Sequence, residues 1–178
     1  MPFPSAVQTE HLLLRTWNIG DRDSLFKLNS DPKVMEFFPK LLSLKESNGA
    51  FDRIQNHWNR YGFGLFAVED LNEKSFIGFV GMVHVDFDCF FTPNVEICWR
   101  LLPDFWGKGY ATEAALSTLR FGFQELNMTE IVSFTSVLNE RSKSVMQKIG
   151  MEFVDEFHHP NLPINHRLSK HALYKKVK

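Results

Sequence analysis

The residues best suited to hold and process a ligand lie between Glu96 and Met151. Glu96-Ile97-Cys98-Trp99-Arg100-Leu101-Leu102 is an apolar run that reads as a strand. Pro103-Asp104-Phe105-Trp106-Gly107-Lys108-Gly109 reads as a turn, and Tyr110-Ala111-Thr112-Glu113-Ala114 starts an amphipathic helix. A helix start leaves backbone N–H groups without carbonyl partners and carries the positive end of the helix dipole. A strand, turn and helix in this order therefore suit an anion such as a pyrophosphate, and Lys108 adds a charge. Thr112 stands where a G-x-G-x-x-G dinucleotide fingerprint has its third glycine, and the spacing of a phosphate-binding P-loop is missing. Neither NAD nor ATP is indicated. An ordinary helix start with glycines at φ > 0 has the same sequence signature.

Other side chains have two readings each. Strand alternation puts Glu96, Cys98 and Arg100 on one side and Val95, Ile97, Trp99 and Leu101 on the other. Glu96 on its own reads as an ion-pair partner of Arg100 or as a solvent-facing strand carboxylate. Asn139, before a second short helix, either reaches a ligand or caps that helix. Arg141 and Lys143 either approach phosphates or are solvated. Cys98 has no adjacent histidine to activate it and reads as a packed thiol. Glu113 would repel an anion if it faced one, so it reads as structural. His84, with Asp86 and Asp88, lies on a half-exposed sheet face or lines a cleft. His158, His159 and His166 lack the spacing of a metal site, so no metal is expected.

The positioning elements follow from periodicity. Glu10 to Trp17 reads as a strand; two helices follow, the second opening on Ser43 with Glu46 three residues later as in a capping box. Gly64–Glu69, Ser75–Phe87 and Val95–Leu102 form a meander, and Ile131–Val137 returns beyond the central helix. Ala111, Ala115, Leu119, Gly122, Phe123 and Leu126 share one face of that helix. Gly150 stands just past the next helix, and Met151–His158 and Arg167–Val177 complete the sheet. The order implies an α/β mixed sheet of about seven strands, with a parallel pair joined through the central helix.

At 178 residues and 44% hydrophobic content, the chain supports one domain over residues 1–178. A net charge of −1 predicts no long-range attraction to nucleic acid or membranes. Two cysteines give no disulfide framework, and residues 1–5 lack the regions of a signal peptide, so a cytoplasmic protein is expected.

The motifs Trp106-Gly107-Lys108-Gly109-Tyr110-Ala111-Thr112-Glu113-Ala114, Asn139-Glu140-Arg141-Ser142 and Lys148-Ile149-Gly150-Met151, with Glu96 to Trp99 before them, resemble the GNAT superfamily of acetyl-CoA-dependent N-acetyltransferases. Leu12-Leu13-Leu14-Arg15 and Asn29 to Met35 extend the resemblance over nearly the whole chain, toward the ribosomal-protein N-terminal (alanine/serine) acetyltransferase branch. It implies a twisted mixed sheet with helices on both faces, whose fourth and fifth strands splay apart. It implies acetyl-CoA as co-substrate, its pyrophosphate held by the N–H groups of Gly107, Lys108, Gly109, Tyr110, Ala111 and Thr112. Its pantetheine would pair with the strand at Trp99, Arg100, Leu101 and Leu102, with Asn139 beside it and Arg141 near the phosphates. With the acetyl group facing that strand, Glu96 becomes the candidate general base, directly or through a water; many members carry a tyrosine acid where this chain has Met146, which leaves Ser142 as the nearest hydroxyl for that role. The acceptor is expected to be an amine, either a protein N-terminus or a small molecule such as an amino acid, polyamine or aminoglycoside. A non-catalytic CoA-binding domain is the alternative, and the resemblance allows a monomer or a homodimer.

Overall fold

The computed structural model describes residues 6–178; the signal-peptide reading rests on residues 1–5 and lies outside them. Strands β1 (Ala6–Gln8) and β2 (Leu12–Arg15) precede helices α1 (Asp21–Ser30) and α2 (Leu44–Tyr61). The meander is β3 (Leu65–Asp70), β4 (Ser75–His84) and β5 (Val95–Leu101), and a 3-10 turn at Pro103–Phe105 leads into α3 (Tyr110–Gln124). Then come β6 (Glu130–Ser136), α4 (Glu140–Lys148), β7 (Glu152–His158) and β8 (Lys170–Val177).

The strands form one mixed eight-stranded sheet in the order β1-β2-β3-β4-β5-β6-β8-β7. The strand beyond the expected seven is β1, which pairs antiparallel with β2 from Ala6↔Arg15 to Gln8↔Leu13. Three residues are too few for alternation to show in sequence.

Local chemistry sets the helix ends. Ser43 and Glu46 form the expected capping box on α2, each side chain accepting the other residue's backbone N–H. Asp21 at the start of α1 is buried, but Arg15 grips its carboxylate with two nitrogens at 2.7 and 2.8 Å. Gly150, at φ 76°, follows the last residues of α4 as a left-handed stop.

Alternation splits the core into two layers. Phe66, Val68, Val80, Met82, Ile97 and Leu101 face α3 and α4, while Leu65, Ala67 and Phe79 face α1 and α2 with Trp17, Leu25, Leu28 and Phe51. Ala114 and Ala115 are fully buried under α3, and a Cβ on Gly122 would lie 2.8 Å from both Ile131 and Met82. Small residues thus let α3 sit close against the sheet, which fixes the position of its N-terminus.

The sheet opens at one place. β5 pairs with β4 along its whole length, from His84↔Val95 to Gly78↔Leu101. It meets its parallel neighbour β6 at the single rung Glu96↔Val132. β6 is meanwhile fully paired on its other side, Glu130↔Val177 to Ser136↔His171 with β8. Past Glu96 the two strands diverge toward the N-terminus of α3, which is the splayed pair the sequence resemblance implies.

Candidate active site

A cavity of about 840 Å³ fills the divergence. Cys98 to Leu101 wall one side, Ser133 to Ser136 the other, and Gly107, Gly109 and Tyr110 to Thr112 close the far end. Glu96 lies at the apex, beside the last rung.

Gly107 and Gly109 adopt φ 75° and 85°, left-handed conformations that let the chain turn from the 3-10 segment into α3. No N–H from Gly107 to Thr112 donates to a carbonyl or side chain among the described residues; the first of α3 to do so is that of Glu113, to Gly109 O at 3.0 Å. A Cβ at either glycine would meet nothing within 4 Å, and Gly107, Gly109 and Tyr110 to Thr112 line the cavity. Unpaired donors at the positive end of α3, on the wall of a cavity, fit a pyrophosphate. Lys108 contributes its N–H, but its ammonium lies 4.9 Å from the centre of the Phe105 ring, outside the cavity lining. Glu113 points away from the seat. Its carboxylate accepts from Thr9 Oγ1 (2.6 Å), His11 N (2.9 Å) and His11 Nδ1 (2.9 Å), which is the structural role expected of it.

Along β5 the backbone groups that face the gap can be assigned. Ile97 O accepts the Ser133 hydroxyl at 2.9 Å, and Leu101 O accepts the Trp106 indole N–H at 2.8 Å. Groups on one strand edge recur every second residue, so the N–H and C=O of Trp99, between them, also face the gap. Here the structure corrects the expectation. Leu102 gives its N–H to Ile77 O at 2.8 Å, and Arg100 has the same parity, so neither backbone is turned to the gap. Trp99 and the N–H of Leu101 are what remain to pair with an extended ligand arm.

The side chains of Glu96, Cys98 and Arg100 share one face, as alternation requires. The anticipated Glu96–Arg100 ion pair does not form. The Arg100 guanidinium instead donates to Asn29 Oδ1 at 2.5 Å and lies 4.0 Å from the Phe38 ring centre. Glu96 has no hydrogen bond or ion pair among the described residues. Enclosure by the cavity walls, reinforced by the field of Asp86, pushes its carboxyl up to about 8. Burial pushes the Cys98 thiol up as well, away from the reactive thiolate.

On the α4 side, Asn139 caps the helix: its Oδ1 accepts from Ser142 N at 3.2 Å, and its Nδ2 donates to Thr135 Oγ1 at 3.1 Å. It nonetheless lines the cavity. Ser142 also lines it, with its hydroxyl unpaired among the described residues, while Met146, one turn on, is 1% exposed. Arg141 bonds Glu36 at 2.7 Å and lies 4.5 Å from the Trp106 ring, so it ties α4 to the segment after α1 across the cavity.

Sequence reasoning missed the opposite wall. Phe134, His159, Asn161, Leu162 and His171 come from β6, the β7–β8 connection and β8. Phe134 packs with Phe87, Phe91 and Phe157 in a small aromatic cluster that backs this end. Nothing in their spacing marks them, because the strand order 6-8-7 brings them together. His84, by contrast, is outside the cavity and packs with His57, Tyr61 and Phe63. No cluster of three or more His, Cys, Asp or Glu side chains placed to hold a metal ion occurs among the described residues. No helix among them is long and apolar enough to cross a membrane.

A mixed sheet with one splayed parallel pair, a donor-rich helix start at its mouth and a carboxyl at its apex defines a class. The family profile described as Acetyltransferase (GNAT) domain matches residues 11–152, and the chain belongs to that family. It is an acetyl-CoA-dependent N-acetyltransferase. It is 32% identical over 146 residues to the uncharacterized N-acetyltransferase YnaD of Bacillus subtilis (strain 168), covering 82% of this chain and 81% of that one. A solved GNAT-family acetyltransferase from Bacillus anthracis matches at TM-score 0.79 and 25% identity over 97% of this chain and 98% of its own. The ribosomal-protein-S5-alanine acetyltransferase from Vibrio fischeri shares the fold at TM-score 0.77 and 21% identity, over 98% of this chain and 97% of its own.

Proposed function

We propose that residues 1–178 act as one domain that acetylates an α-amino group, with a short peptide N-terminus as the acceptor form. The observation that carries this reading is the alignment of three features along one cavity. The unpaired N–H groups of Gly107 to Thr112 stand at its mouth, the free backbone edge of Trp99 midway, and the isolated carboxyl of Glu96 at its apex. Acetyl-CoA supplies the activated acetyl group when bound. The N–H run would hold its diphosphate, Trp99 and Leu101 would pair with its arm as an added strand would, and Asn139 would flank it.

Glu96 then has one task. An α-amine with a pKa near 8 is roughly one part in ten neutral at pH 7, against about one part in 2500 for a lysine. A carboxyl raised to about 8 has nearly the same proton affinity as a terminal ammonium, so it accepts that proton directly or through one water without a large uphill step. The neutral nitrogen would attack the thioester carbonyl, so that the C–N bond forms and the C–S bond breaks; the proton the nitrogen then loses replaces the one the departing thiolate takes from the Ser142 hydroxyl or from solvent, since Met146 has none to give.

Charge in the cavity argues against polyamines. Its carboxylates are Glu96 and Glu140, and Glu140 is paired with Lys143 at 2.7 Å, as Arg141 is with Glu36 at 2.7 Å, whereas Lys33, Arg100 and Lys148 line it with no ion pair among the described residues. A polycation would meet more positive than negative charge. The test is thiol release from acetyl-CoA with a panel of short peptides against spermidine, amino acids and aminoglycosides. Turnover confined to peptides with free N-termini supports the reading; equal or better turnover of polyamines overturns it, as does saturable CoA binding without turnover on any peptide of the panel.

A further inference from the structure

The cavity wall opposite the aromatic cluster holds a cation that has no anion among the described residues. Arg100 is half-buried there, its guanidinium lying 4.0 Å from the centre of the Phe38 ring and 5.1 Å from that of Phe79. Its one hydrogen bond among the described residues goes from Nη1 to the neutral amide oxygen of Asn29. Nε is sealed from solvent with no partner, and Nη2 is unbonded with access to the cavity. No carboxylate among the described residues pairs with it. Asn29 is itself buried and fixed, donating to Ser47 at 3.0 Å, so it holds Nη1 still without neutralising the charge.

A guanidinium withdrawn from water and left unpaired is costly, and burial accordingly brings its pKa down to about 10. Proteins meet that cost with a bidentate oxyanion, for which the planar fork is shaped; with Nε sealed, the edge left for it is formed by Nη2 and the second N–H of Nη1. Lys33, on the segment after α1, lines the same cavity and also has no ion pair among the described residues. Glu96 and Arg100 lie four residues apart on one strand face, about 13 Å between Cα atoms, so the site has a proton-accepting end and an anion-accepting end.

We propose that Arg100 makes this enzyme selective for amine acceptors that also carry a carboxylate, held in the fork of its guanidinium while the amine lies toward Glu96. This rests on the acetyltransferase reading above and narrows its acceptor class. The class is peptides with an acidic residue near the N-terminus, whose α-amine and carboxylate match the two ends.

The experiment compares matched pairs. Peptides with Glu or Gln, and with Asp or Asn, at the second position are assayed by thiol release with the wild-type chain, Arg100→Gln and Arg100→Lys. The readout is the ratio of kcat/KM for the carboxylate over its amide within each protein, which a general loss of folding or coenzyme affinity lowers equally in numerator and denominator. The wild-type ratio should be on the order of tenfold or more, fall to near one in Arg100→Gln, and be partly kept in Arg100→Lys, where charge survives but the fork does not. Calorimetric binding of the same pairs in the presence of CoA gives this comparison without turnover. Carboxylate-selective binding that disappears in Arg100→Gln upholds the proposal even if the acetyltransferase reading fails. A wild-type ratio near one overturns it. So does a ratio unmoved in Arg100→Gln, including the case where CoA affinity alone falls and the guanidinium serves a coenzyme phosphate.

Discussion

Glu96 combines two facts that no pattern in the sequence joins: it is the last residue of β5 in register with β6, and its carboxyl has no partner among the described residues. Its type and strand parity were legible from the chain, but its isolation was not, because Arg100 on the same face offered the obvious counter-ion and turns to Asn29 instead. The raised carboxyl makes two predictions. In catalysis, kcat/KM corrected for the acceptor's own ionisation should climb with pH through about 8 as Glu96 ionises, and Glu96→Gln should lose that limb along with on the order of a hundredfold in rate; an unshifted profile with an intact rate would exclude the base role. In stability the sign runs the other way. With a folded pKa of about 8 above the ordinary 4.5, the native state keeps one proton more than the unfolded chain between those values, so stability falls as pH rises through that window. Above pH 8 the cost is complete, and below about 4.5 it is absent. Urea melts should therefore show Glu96→Gln more stable than the wild type by about 2–4 kcal/mol at pH 9, a gap that closes toward pH 4.

At the scale of elements, the helix start was the most readable part of the site, since Gly107 and Gly109 bracket the turn and both take left-handed angles. The prediction there concerns backbone alone. Gly109→Ala meets no neighbouring atom, but places a Cβ at φ 85°, which costs about 1–2 kcal/mol and tilts the N–H run. Acetyl-CoA affinity measured by calorimetry should drop by roughly tenfold, and an unchanged affinity would mean the turn does not hold the ligand. Gly122 is a different case. Its added methyl would meet Ile131 and Met82 at 2.8 Å, so Gly122→Ala should lift α3 and destabilise the fold by about 1–3 kcal/mol in denaturant melts. Helix faces, the capping box and the C-terminal glycine stop were all written in local spacing. The short β1 was not, and neither was the commitment of Leu102 to β4, because strand-edge parity depends on which neighbour pairs first.

Across the whole molecule, the fold class followed from element order, while the cavity's second wall depended on a strand order that places β8 between β6 and β7. That order brings His159 and His171, whose ring centres are 5.0 Å apart, beside Phe134, although neither belongs to a readable motif. A ligand that binds only where the sheet parts has no site in the unfolded chain. Acetyl-CoA at about a hundred times its dissociation constant should therefore add about 2.7 kcal/mol, or roughly 5–10 °C in thermal midpoint for a chain of this size. The central claim is the seating of that ligand, and amide-resolved NMR with and without acetyl-CoA tests it most directly. The account predicts that the N–H signals of Gly107 to Thr112 and of Trp99 shift together and become protected from exchange. Shifts confined to residues elsewhere, with that run of amides unchanged at saturating ligand, would contradict it.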